Sequence, residues 1–519
     1  MLLARAAACH AVRVGSRRRR RDFSCRASAV PDAAFWRGGA TLRVPASLHA
    51  ANRARLVEAL VAELEERGIQ PGVVVLQGGK ELPKYDTDGE LVFRQESYFQ
   101  WAFGVAEPGC FGVISLANGD ATLLVPRLPA DYACWHGEVR TPEWFSARYG
   151  LAVQFVDQMA TVLKDFAPGW LHVLDGTNSD SGAAVAPTQL PPLAPGLEFL
   201  FDDGAFELPH AVMTRLRAVK TEEELAVMRY AAAVTSRAHV TLMQRCKAGM
   251  FEYTLEAEFM HRIALAGCRH AAYTPIAASG RNAATLHYGH AGAPNDAQLV
   301  DGALVLADMG AEYHCYASDV TTTFPVSGRF TPLQAAVYNA VLSAQRAVLS
   351  AIRPGVSWPD MHALAERTLL RGLIDAGLLQ GDVEAMFAAR LGATFMPHGI
   401  GHLLGLDTHD VGGYGGALPL RPKGAGVDKL RTARVLTPGL VLTVEPGCYF
   451  GDYLLDKALA DPQLVPFLVV DALQRCRGMG GVRLEDNVVV TASGCELLTN
   501  VPREVADVER VMAGGDWRV

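Results

Sequence analysis

Residues 303–326, "ALVLADMGAEYHCYASDVTTTFPV", hold two apolar, β-rich runs around a short polar connection. The pattern reads as a β-hairpin. A turn centred between Tyr313 and His314 makes Asp308 and Asp319 directly opposed partners, and like charges in that position destabilise a ladder. Each aspartate interrupts a run that is otherwise apolar or β-branched. A carboxylate on a buried strand needs a cationic partner or a metal ion, so something positive is expected between the two. A turn aspartate facing solvent is the other reading of the same pattern.

The pattern repeats downstream. In "GLVLTVEPGCYF", residues 439–450, Glu445 closes an apolar strand, and in "GGVRLEDNVVVTASG", residues 480–494, Glu485 sits inside another, beside Arg483. Four acids on four strands, plus one histidine, form a hard, oxygen-rich donor set. Such a set suits two divalent ions of the manganese type better than structural zinc, and it implies a dinuclear hydrolase. Histidines are concentrated in "MPHGIGHLLGLDTHDVGGY", residues 396–414, which carries His398, His402 and His409. Gly399 and Gly401 make a helix there poor, and the chain has no HExxH, so a helical zinc pair is disfavoured.

Composition bounds the rest. A chain of 519 residues, 50% hydrophobic and 20% charged, is long enough for two or more domains with their own cores. No run of about 18 apolar residues appears, so a soluble protein without a transmembrane helix is expected. Eight of the 48 basic residues are arginines within residues 1–26, against the single acid Asp22, so the body is more acidic than the overall charge of −7. That body is a poor match for nucleic acid or an anionic membrane. The Arg-rich, acid-poor leader over residues 1–30 fits a mitochondrial or plastid transit peptide; a disordered basic arm and a mis-assigned start codon are the other readings. The ten cysteines include no CxxC pair and read as reduced thiols of an intracellular protein. "LQGGKE" lacks the first glycine and the Ser/Thr of a P-loop and reads as a strand-ending turn.

Two parts follow along the chain. From about residue 31 to 218, strand-like runs ("GVVVLQ", "CFGVISL", "ATLLVP", "WLHVL") alternate with helical patterns such as "ANRARLVEALVAELEERG", the rhythm of an α/β domain. Thr221 followed by Glu224 is a capping-box start, so a long helix opens a second domain over residues 219–519. Nearly all the chemically suggestive residues lie in that second part.

The segments "DMGAEYHCYASDVTTTFP", "MPHGIGHLLGLDTHDVGGY", "VLTVEPGCYF" and "GGVRLEDNVVVT" resemble the four ligand segments of the pita-bread metallopeptidases, and within them the Xaa-Pro dipeptidases (prolidases). "RQESYFQWAFGVAEPGCFGV" and "LHYGHAGAPND" extend the similarity to about residues 33–515. The resemblance implies an α/β N-terminal domain plus an α+β pita-bread catalytic domain with a curved, mainly antiparallel sheet. It implies two manganese ions, with cobalt or another divalent ion as a substitute. His402 and Glu445 would hold one ion and Asp308 the other, with Asp319 and Glu485 bridging. Hydroxide from a water between the ions would attack the Xaa-Pro amide, with Glu445, His409 and His398 as catalytic residues. On the substrate side stand His287, Tyr273, Arg483 and Arg431. Arg431 would grip the proline carboxylate, and Arg483 would orient Glu485. The resemblance further implies a cytosolic homodimer serving the turnover of collagen and other proline-containing peptides. An aminopeptidase P acting on longer peptides, or a non-catalytic binding protein of the same fold, are the alternatives.

Overall fold

The computed structural model describes residues 33–166, 170–185, 188–190 and 207–519. The leader at residues 1–30 lies outside them. In the N-terminal part, five strands lie in the order Ala152–Phe155, Ala121–Val125, Phe111–Ser115, Val73–Gln77 and Leu171–Val173. The central three pair antiparallel, and each edge strand joins in parallel. Four of the five are the apolar runs read from the sequence. The edge strand "AVQF" was not, because its residues are only partly apolar and half-exposed. Alternation places Val74 and Leu76 in the main core, while Val73 and Val75 face a smaller core with Met159 and Leu163.

Helix Glu222–Arg245 begins as expected: Thr221 Oγ1 accepts from Glu224 N (3.2 Å) and Glu224 Oε2 accepts from Thr221 N (2.9 Å). It packs against strand Ala311–Tyr313, and a second helical pair, Pro332–Ala351 with Trp358–Asp375, supports the C-terminal part. Leu48, Trp101, Val212, Leu225, Leu304 and Val441 belong to one continuous apolar core, so the two parts share an interior. Each fully buried Leu or Val there contributes roughly 1.5–3 kcal/mol.

Both strand pairs that carry the expected ligands are antiparallel and broken in the middle. Leu304–Asp308 pairs with Thr321–Pro325, and beyond the break Ala311–Tyr313 pairs with Tyr316–Ala317. Val441–Val444 pairs with Asp486–Val490, and beyond its break Gly447–Tyr449 pairs with Gly481–Arg483. The expected hairpin exists, but its centre is displaced. Tyr313 faces Tyr316 across a two-residue turn, and Asp308 therefore faces Thr321, not Asp319. His314 and Cys315 both adopt positive φ, 49° and 65°, as a tight hairpin turn of this length demands. The change in pairing partner is two residues, so Asp308 and Asp319 still share a face. The opposed carboxylates occur in the other pair. With Val444 facing Asp486 and Gly447 facing Arg483, Glu445 and Glu485 meet across the break. Glu485 thus lies between two strands and not inside one.

Candidate active site

The broken ladders bring the carboxylates together. Met309 N still bonds the Val320 carbonyl (3.1 Å), and Ser318 N bonds that of Ala311 (3.0 Å), so Asp319 stands opposite Gly310. A Cβ on Gly310 would lie 1.7 Å from the Ser318 carbonyl oxygen, and no side chain fits there. Asn487 fixes the backbone of Asp319, accepting from its N–H at 3.0 Å and donating to its carbonyl. Arg503 reaches the Glu485 carbonyl and the Asp486 carboxylate. Such breaks re-aim side chains toward one point.

His402 arrives on an extended segment, as its glycines suggested. Thr443 N donates to the His402 carbonyl and Glu445 N to that of Ile400, each at 2.9 Å. A Cβ on Gly401 would sit 2.0 Å from the Thr443 carbonyl oxygen, so this close approach needs glycine. His402 Nε2 lies 3.3 Å from Asp319 Oδ2 and 3.5 Å from Glu445 Oε1. Its Nδ1 is 3.0 Å from the Leu403 carbonyl; donating there leaves the Nε2 lone pair for an ion. Asp319, His402 and Glu485 each offer a ligand atom within 4.8 Å of the other two. Downstream, Asp407 and Asp410 anchor the segment. Arg217, itself buried, bonds them at 2.7 and 2.9 Å, and Lys220 bonds Asp410 at 2.8 Å.

The remaining groups form a second layer. Tyr273 OH donates to Asp308 Oδ1 at 2.5 Å, and Arg483 pairs with Asp308 Oδ2. The expected action of Arg483 on Glu485 is indirect: its Nε donates to Thr321 Oγ1 (3.1 Å), which donates to Glu485 Oε2 (2.6 Å). Arg483 Nη1 also donates to Tyr449 OH (2.8 Å), which lies 3.0 Å from His398 Nε2. The other nitrogen of His398 is 2.8 Å from the Gly399 carbonyl, so its ring is committed to hydrogen bonds. His409 packs edge-on against His402 with ring centroids 4.5 Å apart. Arg431 Nη1 bonds Asp180 Oδ2 at 2.5 Å. Every site residue singled out from the sequence lines one cavity of about 770 Å³, His287 included.

Tyr449, Thr321, Asn487, Arg503 and Asp180 were not legible beforehand. Only the threonine run 321–323, polar groups inside a buried strand, offered a signal. The others act on partners distant along the chain.

Residues 226–492 match the model of metallopeptidase family M24, and residues 49–170 match the N-terminal domain of aminopeptidase P. The chain belongs to metallopeptidase family M24. Among M24 relatives, the human protein named Xaa-Pro dipeptidase is 50% identical over 94% of this chain and 98% of its own length. A probable Xaa-Pro aminopeptidase of Pyrenophora teres f. teres is 33% identical over 91% of this chain and 96% of its own. The solved structure of Pseudomonas aeruginosa aminopeptidase PepP superposes with a TM-score of 0.70 at 33% identity, covering 90% of this chain and 98% of that one. The pita-bread fold expected from the sequence is that of these M24 enzymes, with mostly antiparallel, unclosed sheets. Among the described residues no helix is long and apolar enough to cross a membrane.

Crowded acids make M24 site chemistry sensitive to pH in the metal-free protein. Burial pushes the Glu445 carboxyl up to about 7, with His402 and Arg483 opposing and Asp319 and Asp308 adding. Burial, then Asp319, Glu445 and Asp308, push Glu485 well above the usual carboxylate range. Burial also acts to raise Asp319, but the hydrogen bond and charge of His402, together with Tyr273 and His409, hold that carboxyl low. For a raised carboxyl the folded state holds the proton more tightly than the unfolded chain. Its stabilisation is complete below about pH 4.5 and is lost as pH rises through the folded value. These carboxyls favour the metal-free fold at low pH, whereas buried histidines kept neutral, such as His398 and His409, act oppositely below about pH 6.5. The rise in melting temperature on adding divalent metal, which needs the carboxylates charged, should therefore be larger at about pH 8 than at about pH 5. Thermal unfolding followed by circular dichroism, with and without metal, checks this; a metal-induced shift no larger at the higher pH than at the lower contradicts it.

Proposed function

We propose that this chain is an Xaa-Pro dipeptidase, hydrolysing dipeptides that end in proline. One observation carries the reading: the clustered metal-type donors and Arg431 face a single cavity. Asp319, Glu485, His402, Glu445 and Asp308 would hold two divalent ions. The donors fit such ions, being hard carboxylates with one imidazole whose Nδ1 is already engaged. Manganese is the assigned metal, with cobalt or another divalent ion as substitute. When bound, the ions supply Lewis acidity and an acidified water.

The chain's own groups do the rest. Arg431 takes the proline carboxylate on the part of its guanidinium not turned to Asp180. His287 lines the proline side, and Tyr273 and Arg483 hold Asp308 in place. Glu445 accepts the proton released by the attacking water and delivers it to the proline nitrogen, which is too basic to leave as an anion. His409 supports the tetrahedral intermediate. His398 stays neutral, because burial and then the Arg483 charge lower it to about 3, and it serves as a hydrogen-bonding wall tied to Tyr449.

We further assign a homodimer, an intracellular location and a part in the turnover of collagen-derived and other proline peptides. The test is hydrolysis of Gly-Pro beside Gly-Pro-Gly, before and after chelation and with manganese restored. Chelated protein should be inactive, and the dipeptide should be strongly preferred. Equal cleavage of the tripeptide would favour the aminopeptidase P activity named for the fungal relative.

A further inference from the structure

Volume alone cannot select a dipeptide here. A cavity of about 770 Å³ is in the range that holds drug-sized ligands, far more than Gly-Pro needs. Length selection must come from charged groups placed within it, and one such group comes from the N-terminal part of the chain. Asp180 stands on a tight turn closed by the bridge between Thr177 and Ala184. The side chain of Asn178 accepts from Asp180 N (2.9 Å) and Ser181 N (3.1 Å), and Asn178 N bonds the Ala183 carbonyl (2.8 Å). The turn fixes the backbone of Asp180, and its side chain lines the cavity.

That carboxylate meets two arginines. Its Oδ2 accepts from Arg431 Nη1 at 2.5 Å and its Oδ1 from Arg421 Nη2 at 2.8 Å. Arg421 is itself anchored, with its guanidinium carbon 4.4 Å from the Tyr414 ring centroid and a bond to the Leu430 carbonyl. Tyr414 OH donates to that same carbonyl at 2.6 Å. Two guanidinium groups and one carboxylate leave one uncompensated positive charge, which a single substrate carboxylate neutralises. Because Asp180 engages Arg431 through Nη1, it fixes the orientation of the remaining donors.

We infer that Asp180 is a positioning and specificity-determining residue: it presents Arg431 to the carboxylate of a C-terminal proline and disfavours peptides that continue beyond it. Continuation carries the terminal carboxylate about 3.3–3.6 Å further per residue, away from its place on Arg431. The extra residue must then pass a cluster whose own carboxylate repels a second one. This rests on the dipeptidase reading. Arg421, absent from the residues singled out by sequence, holds the other oxygen of Asp180.

The experiment compares Gly-Pro, Gly-Pro-Gly and Gly-Pro amide on the metal-loaded wild type, Asp180→Asn and Asp180→Ala. With Asp180→Ala, KM for Gly-Pro should rise about 10-fold while kcat changes less than about 3-fold, as expected for lost ground-state positioning. The ratio of kcat/KM for Gly-Pro-Gly to that for Gly-Pro should rise about 10-fold or more in both variants. Kinetics with the amide, which has no carboxylate to place, should change little. If the wild type prefers the dipeptide and both variants keep the wild-type ratio, even with lower rates, Asp180 only joins the two parts of the chain and the inference is overturned. A wild type that cleaves the tripeptide as fast as Gly-Pro refutes the dipeptidase reading instead. Should the Asp180 variants fail to fold by circular dichroism, Arg421→Gln decides: a raised KM and a raised ratio support the inference, and wild-type values for both reject it.

Discussion

Asp319→Asn and Glu485→Gln should each strip bound metal from the protein and lower Gly-Pro hydrolysis by about 10³-fold or more, the several kcal/mol that two-ion charge stabilisation supplies. These two carboxylates are the ones that gather with His402 into a single close group. Their surroundings are built to hold them still: Asn487 clasps the Asp319 backbone, and Thr321 donates to Glu485 at 2.6 Å. Amide replacements keep size and much of the hydrogen bonding, so the fold should survive while the charge is lost. Glu485→Gln, which removes one carboxyl raised by burial, should also weaken the pH dependence of metal-free stability. Metal analysis, circular dichroism and the peptide assay on the same samples separate the outcomes. Retention of metal and of full activity in either variant would remove the proposed metal-holding role.

Arg431→Ala should cost about 2–5 kcal/mol in kcat/KM for Gly-Pro, the range for breaking one partner of a desolvated charge pair. Arg431→Lys should recover little of that. An ammonium keeps the charge but cannot hold Asp180 and a substrate carboxylate on separate donors of one planar group. Gly-Pro amide should be a poor substrate of the wild type and should lose much less on either substitution. Because Arg431 is about one-third exposed, its pair with Asp180 is partly screened and adds little to global stability. The unfolding temperature of Arg431→Ala should stay near that of the wild type. Unchanged Gly-Pro kinetics in Arg431→Ala would break the link between this arginine and substrate length.

Much of the architecture was legible because it rests on local chemistry. The Thr221 and Glu224 pair marked the first turn of the long helix, and four apolar runs marked four of five strands in the N-terminal sheet. Gly399 and Gly401 made a helix at His402 poor, and the segment is extended, since only glycine at 401 permits its approach to Thr443. The four candidate carboxylates stood out as acids in runs otherwise apolar or β-branched, whereas only the resemblance singled out His402 from its neighbouring histidines. What failed was register. The hairpin after Asp308 turns at His314 and Cys315, neither of which carries the Asn-Gly signal that normally marks a turn with two positive φ values. That conformation is supported from elsewhere: His49 Nε2 lies 3.0 Å from His314 Nε2, and Phe35 stacks on the same ring at 4.2 Å.

By itself the sequence determined which residue types could bind divalent ions and which segments would be buried, because hydrophobic patterning and backbone preference act over a few neighbours. It also carried the resemblance that pointed to peptide hydrolysis. Only the tertiary structure decided which acids confront each other, with Glu445 facing Glu485 and Asp308 facing Thr321. It alone placed Asp180 on Arg431, 251 residues apart in the chain, and Tyr449 between Arg483 and His398. Contacts of that kind depend on how two strand pairs break and on how a turn from one part of the chain reaches a cavity in the other. No local preference encodes such meetings; packing of the shared core fixes them.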